Sequence, residues 1–272
     1  MSRALQDKLV VLTGASRGIG VAIAEDLAAA GAHLILSARN EEKLNAVAHR
    51  VRELGGQATV VPCDVSAAAD LERLASTSEA LGPVHVLINN AGVERPVPIG
   101  DQSVEEIQRQ LDVNLRAPIL LTRRMLPAMV AKGSGVVVMM SSMAGKAPVP
   151  YNSVYSATKH GINGFTASLR AELNGTGIHV GVVCPSYVAD AGMWAEGGVK
   201  APSMLPEVSL QSVVRATRRV INGSREVLVT PSPIRPFLAM AQLFPSLDGF
   251  VLTRLGVVQA MHERAKKEGG NV

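Results

Sequence analysis

Aromatic residues are scarce in this chain, at 3% of 272 residues, with a single tryptophan. So few rings cannot build the stacking platforms that hold nucleic-acid bases, and a formal net charge of only +4 supplies no basic stripe in their place. No nucleic-acid partner is expected. Cysteine is equally sparse. Cys63 and Cys184 lie far apart in apolar runs, which excludes a disulfide framework and reads as two buried thiols in a reducing compartment. Charged residues reach only 18% against 47% hydrophobic, which excludes a disordered chain. The opening residues (Arg3, Gln6, Asp7, Lys8) contain no apolar signal-peptide core, so a cytoplasmic location is expected. The length suits one large α/β domain or at most two small ones.

What the chain does have is apolar runs, each followed by small or polar residues. Lys8 to Thr13 reads as a buried strand. Thr13-Gly14-Ala15-Ser16-Arg17-Gly18-Ile19-Gly20 follows, and helix formers run from Val21 to Ala30 before Gly31. A strand, a glycine-rich turn and a helix N-terminus make an anion site: glycines let the backbone approach a phosphate, and free N–H groups with the helix dipole hold it. The G-x-x-x-G-x-G spacing lacks the Gly-Lys-Ser/Thr ending of a triphosphate loop, which argues against a phosphotransferase. Gly14, Ser16, Arg17, Gly18, Ile19 and Gly20 are the candidate contacts. The second strand, His33 to Ser37, ends in Ala38-Arg39-Asn40 with no carboxylate to hold a ribose 2′-hydroxyl. Arg39 suits a 2′-phosphate and Arg17 can add a second cation, so NADP(H) is expected over NAD(H).

A helix from Glu41 to Leu54, a strand from Ala58 to Pro62, a helix from Ala67 to Leu81 and a strand from Val84 to Ile88 follow. Asp64, just past the third strand, is either an acceptor for an adenine amino group or a helix cap. Asn89-Asn90-Ala91-Gly92 ends the fourth strand, where open parallel sheets place ligands. Val104 to Met129 reads as one long helical region containing Asn114, an unfavourable residue there unless its amide serves a network. Gly135 to Met140 is a fifth buried strand delivering Ser141 and Ser142 to the same edge. Tyr155 and Lys159 then lie one turn apart on a helix from Ser153 to Leu173. A cation beside a phenol is expected to lower its pKa towards the working range of an acid/base catalyst. Ile178 to Cys184 is a sixth strand, leading into Pro185-Ser186-Tyr187-Val188.

TGASRGIG, NNAG at Asn89 to Gly92, Asn114, Ser142 and Tyr155-x-x-x-Lys159 stand in the order and spacing of one family. From Lys8 to Val188 the chain resembles a single-domain short-chain dehydrogenase/reductase. That resemblance implies Tyr155 as acid/base on a ketone or alcohol oxygen. Lys159 would tune it and hold the nicotinamide ribose, Ser142 would steady the substrate oxygen, and Asn114 would hold a water of a proton relay. It also implies cofactor contacts from Asp64, Val65, Asn90, Ala91, Gly92, Pro185 and Val188 besides the glycine turn, Arg39, Tyr155 and Lys159. No metal is implied. Tyr151 lies two turns from Lys159 and fits the pocket wall better than the acid; Ser141 fits a supporting role and His160 a packing one. The sequence departs from the family at Ser186 and Asp190, where a Gly and a Thr on the nicotinamide carboxamide are usual.

The expected fold is a doubly wound, mostly parallel seven-stranded α/β sheet with helices on both faces. A helix from Leu210 to Ile221 and a strand from Glu226 to Val229 complete it. The expected division is a catalytic domain over 1–230 and a helical extension over 231–272. The apolar stretches Pro236 to Leu247 and Gly249 to Met261 are interrupted by Pro245, Asp248 and Arg254, so neither spans a membrane. They suit short amphipathic helices that cover the pocket, form a subunit interface or lie on a membrane surface. The loop from Ala189 to Pro206, with Met193, Trp194, Met204 and Leu205, reads as a lid over a hydrophobic substrate. The expected activity is NADP(H)-dependent interconversion of a secondary alcohol and a ketone on a lipid-, steroid- or retinoid-like molecule, in a dimer or tetramer of this chain. The alternative is a non-catalytic NADPH-binding sensor.

Overall fold

A computed structural model of the chain describes residues 5–231 and 248–272, together with 236, 238, 243, 244 and 246. Seven short strands form one sheet: β1 (Leu9–Thr13), β2 (His33–Ala38), β3 (Gln57–Pro62), β4 (Val86–Asn89), β5 (Gly135–Met140), β6 (Ile178–Pro185) and β7 (Glu226–Val229). Their order is β3-β2-β1-β4-β5-β6-β7, and every pair is parallel. Chain order reverses between β1 and β4, so the crevice of a doubly wound sheet opens above their C-terminal ends.

Helices cover both faces because the strands are apolar on both. Val10, Leu12, Leu34, Leu36, Val86 and Ile88 point into one core layer, with α1 (Gly18–Ala29), α2 (Glu41–Glu53) and α8 (Leu210–Ile221) packed over it. Leu9, Val11, Ile35, Leu87, Val137 and Met139 point into the other, under α3 (Ala68–Leu81), α5 (Ala117–Lys132) and α6 (Ser153–Glu172). Each such fully buried side chain contributes about 1.5–3 kcal/mol. Met125, Met129, Met139 and Met140 are all buried, as are the free thiols of Cys63 and Cys184, which burial pushes up to about 11 and about 12 respectively.

The helical region expected from Val104 to Met129 runs without interruption, but one turn inside it is widened. A capping box between Ser103 and Glu106 starts α4 (Val104–Leu111). A wide π-type turn, Asp112–Arg116, closed by Ala117 N–H on the Asp112 carbonyl, then precedes α5. Asn114 sits inside that turn with its side chain held by the neighbouring chain, and such turns are found where a side chain has been drawn towards a site.

Beyond β6 a short helix α7 (Met193–Glu196) lies in the expected lid, and the tail supplies α9 (Asp248–Arg254) and α10 (Val257–Lys267). The apolar stretch Gly249 to Met261 is divided at Gly256, whose φ of 76° is left-handed. Most of the stretch Pro236 to Leu247 lies outside the described residues. Trp194, Val199, Val257, Ala260 and Met261 form a third apolar cluster, so the tail packs on the lid. Among the described residues no helix is long and apolar enough to cross a membrane.

Candidate active site

Two adjoining spaces open at the C-terminal edge of the sheet. The first is a groove of about 710 Å³ over the glycine turn, lined by Gly14, Ser16, Arg17, Gly18, Ile19 and Gly20 from that turn and by Arg39, Asp64 and Val65 from the ends of β2 and β3. Asn90, Ala91 and Gly92 after β4 close its other side. The second is a cavity of about 220 Å³ walled by Ser142, Tyr155, Lys159, Pro185 and Val188 together with lid and tail residues. Ile19, Asn90, Gly92, Gly192 and Met193 line both, so whatever fills the groove meets whatever fills the cavity there.

The glycine turn is compact because its backbone closes on itself. Gly14 has φ +68°, and a Cβ on Gly20 would lie 2.1 Å from the Gly14 carbonyl oxygen. A side chain at Gly20 would strike the turn's own backbone and one at Gly14 would strike Asn90 and Ala91, so only glycine lets the turn close this tightly. Thr13 Oγ1 accepts from the Asn90 and Ala91 N–H groups at 3.0 and 3.1 Å, and Asn90 Nδ2 donates to the Thr13 and Gly14 carbonyls at 3.0 and 3.2 Å. The Asn90 side chain thus braces the turn. Arg39, Lys43 and Arg109 also line the groove. Arg39 belongs to it as expected, whereas Lys43 and Arg109 were not foreseen. Arg17, which lines the groove, is also ion-paired with Glu196 of α7. Asp64 accepts from the Ser66 N–H and hydroxyl at 3.0 and 2.6 Å. Burial raises its carboxyl, but those bonds, with Arg39 and Arg109 nearby, hold it below the usual range. Asp64 is therefore an ionised turn-former at the groove wall; it does not cap the following helix, whose N-cap is Ala67.

Tyr155 and Lys159 share one buried face of α6. Lys159 Nζ donates to the Met140 carbonyl at 2.9 Å and lies 5.4 Å from the Tyr155 ring centre. Burial lowers the ammonium to about 8. The expected lowering of the phenol by Lys159 does not occur. Burial and then Glu94 push the Tyr155 phenol well above its ordinary value, against the opposing hydrogen bond from Ser142 and the charge of Arg264. The physical reason is that desolvation of a phenolate outweighs an ammonium turned towards a carbonyl. The Tyr155 phenol is neutral in this setting.

Ser142 Oγ accepts from the Ala144 N–H at 3.1 Å and faces the phenol across the cavity wall. Ser141 Oγ is turned to the Lys159 carbonyl at 3.3 Å, a supporting contact as expected. Asn114 Oδ1 accepts from the Val93 N–H at 2.9 Å, while its Nδ2 donates to the Val93 carbonyl at 2.7 Å and to Thr158 Oγ1 at 3.3 Å. Its amide is committed to fixing the chain beside Lys159. Tyr151 is bonded to His262 at 3.1 Å. His160, expected to pack, is exposed and bonds back to the Ser156 carbonyl at 2.9 Å. Ser186 lines the cavity, whereas Asp190 lines neither space and adopts φ 61°.

Glu94 and Arg264 also line the cavity, and neither was singled out from the sequence. The available signal for Arg264 was a lone charge on a helix face that otherwise carries Val257, Ala260, Met261 and Ala265 inward.

The parallel sheet, the glycine-lined groove and the Tyr–Lys face define a dinucleotide-binding α/β enzyme site. Residues 8–199 match the short chain dehydrogenase family. The chain is 39% identical over 269 residues to the ketoacyl reductase HetN of a Nostoc strain, covering 96% of this chain and 94% of that protein. It superposes on a short-chain dehydrogenase from Sphingobium yanoikuyae in complex with NADPH with TM-score 0.76 and 31% identity, covering 90% of this chain and 95% of that one. A variant of the actinorhodin polyketide ketoreductase with NADPH gives TM-score 0.75 and 29% identity over 84% of this chain and 97% of that one. The chain belongs to the short-chain dehydrogenase/reductase family and is an oxidoreductase.

Proposed function

We propose that this chain is an NADPH-dependent reductase of ketones on hydrophobic substrates, with a ketoacyl compound as the class to test first. The observation that carries the reading is the junction of the two spaces: a groove ending in Arg39, Lys43 and Arg109 opens into a mainly apolar cavity beside a protonated Tyr155. NADPH supplies a hydride when bound, and the glycine turn and the cationic cluster fit its phosphates. The names of the relatives that reduce ketoacyl and polyketide substrates, and the NADPH held by two solved neighbours, support the same reading.

The protein's own part is position and proton supply. Ser142 donates to the ketone oxygen as charge builds on it. Tyr155 gives that oxygen its proton, a step worth about 10²–10⁴-fold. Lys159 holds the ribose and stabilises the phenolate that Tyr155 becomes, and a water beside Asn114 returns the proton.

Val149, Leu252, Leu255, Val257 and Met261 supply apolar wall to the cavity, which supports a hydrophobic substrate and a covering role for the tail. The test is NADPH oxidation by the purified chain against a panel holding a ketoacyl thioester, a steroid ketone and a small polar ketone. Turnover of an apolar ketone, with NADPH preferred over NADH, is expected. NADPH binding without turnover of any of them would leave a sensor and refute the reductase.

A further inference from the structure

The mechanism leaves one buried charged cluster unused. Glu94 follows β4 and Arg264 lies on α10, 170 positions later, yet they form an ion pair whose side chains are only 9% and 5% exposed. Two charges are costly to bury, and removing one strands the other. Glu94 spends its second oxygen on Asn152 Nδ2 at 2.8 Å, at the head of the helix that carries Tyr155 one turn on. Arg264 also donates to the Met193 carbonyl at 2.7 Å and lies 5.1 Å over the ring of Trp194. Trp194 is held from its other contacts by Tyr187, 4.2 Å between ring centres, and by Glu207, which accepts its indole N–H at 3.0 Å. Lid, tail, α6 and the end of β4 therefore meet at one guanidinium.

We propose that Arg264 is a positioning residue for the reaction: its pair with Glu94 clamps the lid at Met193 and Trp194 and the head of α6 into one wall of the substrate cavity. The proposal rests on the reductase reading for its kinetic consequences but not for its structural ones. The Arg264 bonds to Glu94 and to the Met193 carbonyl both come from Nη2 of the guanidinium, and the rest of the side chain is packed. A Cβ on Gly197 would lie 2.8 Å from Arg264 Nε, so the lid backbone rests against the side chain. The tail is secured around it by Arg95, which bonds the Glu268 carbonyl at 2.8 Å and pairs with Glu106, and by Lys267 on the Gly198 carbonyl. Tyr155 is faced by Ser142, Lys159, Cys184, Glu94 and Arg264. Of these, Glu94 raises both the phenol and the Lys159 ammonium, and Arg264 is the cation placed to offset it.

The experiment uses the full chain and exploits its single tryptophan, which stands in the clamp itself. Arg264→Met should shift Trp194 emission to the red and raise its quenching by acrylamide. It should lower kcat/KM for an apolar ketone about 100-fold, the loss expected when a reacting group is displaced by about 1 Å, while the NADPH dissociation constant moves less than about twofold. The alkaline limb of kcat/KM should move up in Arg264→Met, where Glu94 is unopposed, and down in Glu94→Gln. A role in folding alone would not move it in opposite directions. The double variant with Glu94→Gln should recover activity relative to Arg264→Met, because no carboxylate is then left bare. Arg264→Lys should keep part of the Trp194 signature.

Unchanged emission and kcat/KM in Arg264→Met would overturn the proposal, as would a double variant no better than the single one. If Arg264→Met does not fold, Arg264→Lys and Glu94→Gln carry the same readouts, and wild-type behaviour in both overturns it. If the wild-type chain reduces no ketone, the reductase reading falls, and the Trp194 readout alone still decides the clamp.

Discussion

Replacing Lys159 with methionine tests the electrostatics of the site without relying on any substrate. Burial holds the ammonium at about 8 against an ordinary 10.5. Each pKa unit corresponds to about 1.4 kcal/mol, so the charged lysine costs the fold about 3 kcal/mol. The sign follows from the proton count. Below about 8 both the folded and unfolded chains carry the proton, and the full penalty is present. Between about 8 and 10.5 the folded chain sheds it first, so wild-type stability rises with pH across that window and the penalty disappears above it. Methionine keeps an unbranched side chain one atom shorter and removes the charge, but it abandons the bond to the Met140 carbonyl at 2.9 Å, a loss of about 1 kcal/mol. Without added NADPH, Lys159→Met should therefore be more stable than wild type at neutral pH by about 2 kcal/mol, about 4 °C in melting temperature for a chain of this size. That advantage should shrink through the window and reverse to a deficit of about 1 kcal/mol beyond it. Differences between the two proteins, measured by urea unfolding across the pH range, cancel the other titrating groups. A variant that is less stable by the same amount at every pH would refute the reasoning. It would mean that Lys159 carries no burial penalty.

Two further outcomes follow from the proposed roles. Tyr155→Phe should lower kcat by about 10²–10⁴-fold, with NADPH affinity by fluorescence titration close to wild type; retained turnover would remove Tyr155 as the acid. Arg39→Asp should lower the NADPH-over-NADH ratio of kcat/KM by about 10- to 100-fold, the loss of one charge-assisted phosphate contact. An unchanged ratio would shift the 2′-phosphate to Lys43 and Arg109.

Much of the site was legible because its parts are local. A strand, a glycine turn and a helix lie within a few tens of residues, and Tyr155 and Lys159 are one turn apart, so short-range geometry decides them. The strands Gly135–Met140 and Glu226–Val229 and the helix Leu210–Ile221 have the bounds their apolar patterns predict. The wide turn at Asp112–Arg116 was not legible, because apolar periodicity does not register one extra residue in a helical turn. Asn114 was its only trace, as a polar residue where a helix should not want one.

The sequence by itself determined the fold family, the edge of the sheet that holds the site and the identity of the Tyr–Lys pair. The sheet edge follows from local backbone preferences and from which faces must be buried, while the family and the Tyr–Lys pair follow from the resemblance that TGASRGIG, NNAG, Ser142 and Tyr155-x-x-x-Lys159 carry together. Tertiary structure alone decided where the charges point. It turned Lys159 towards Met140, so that burial outweighs the cation at Tyr155. It tied Arg17 to Glu196 at the groove wall and brought Lys43 and Arg109 to the groove that Arg39 lines. It also brought Arg264 across 170 positions to Glu94. Ion pairs and desolvation depend on distance in space, and no periodicity along the chain encodes it.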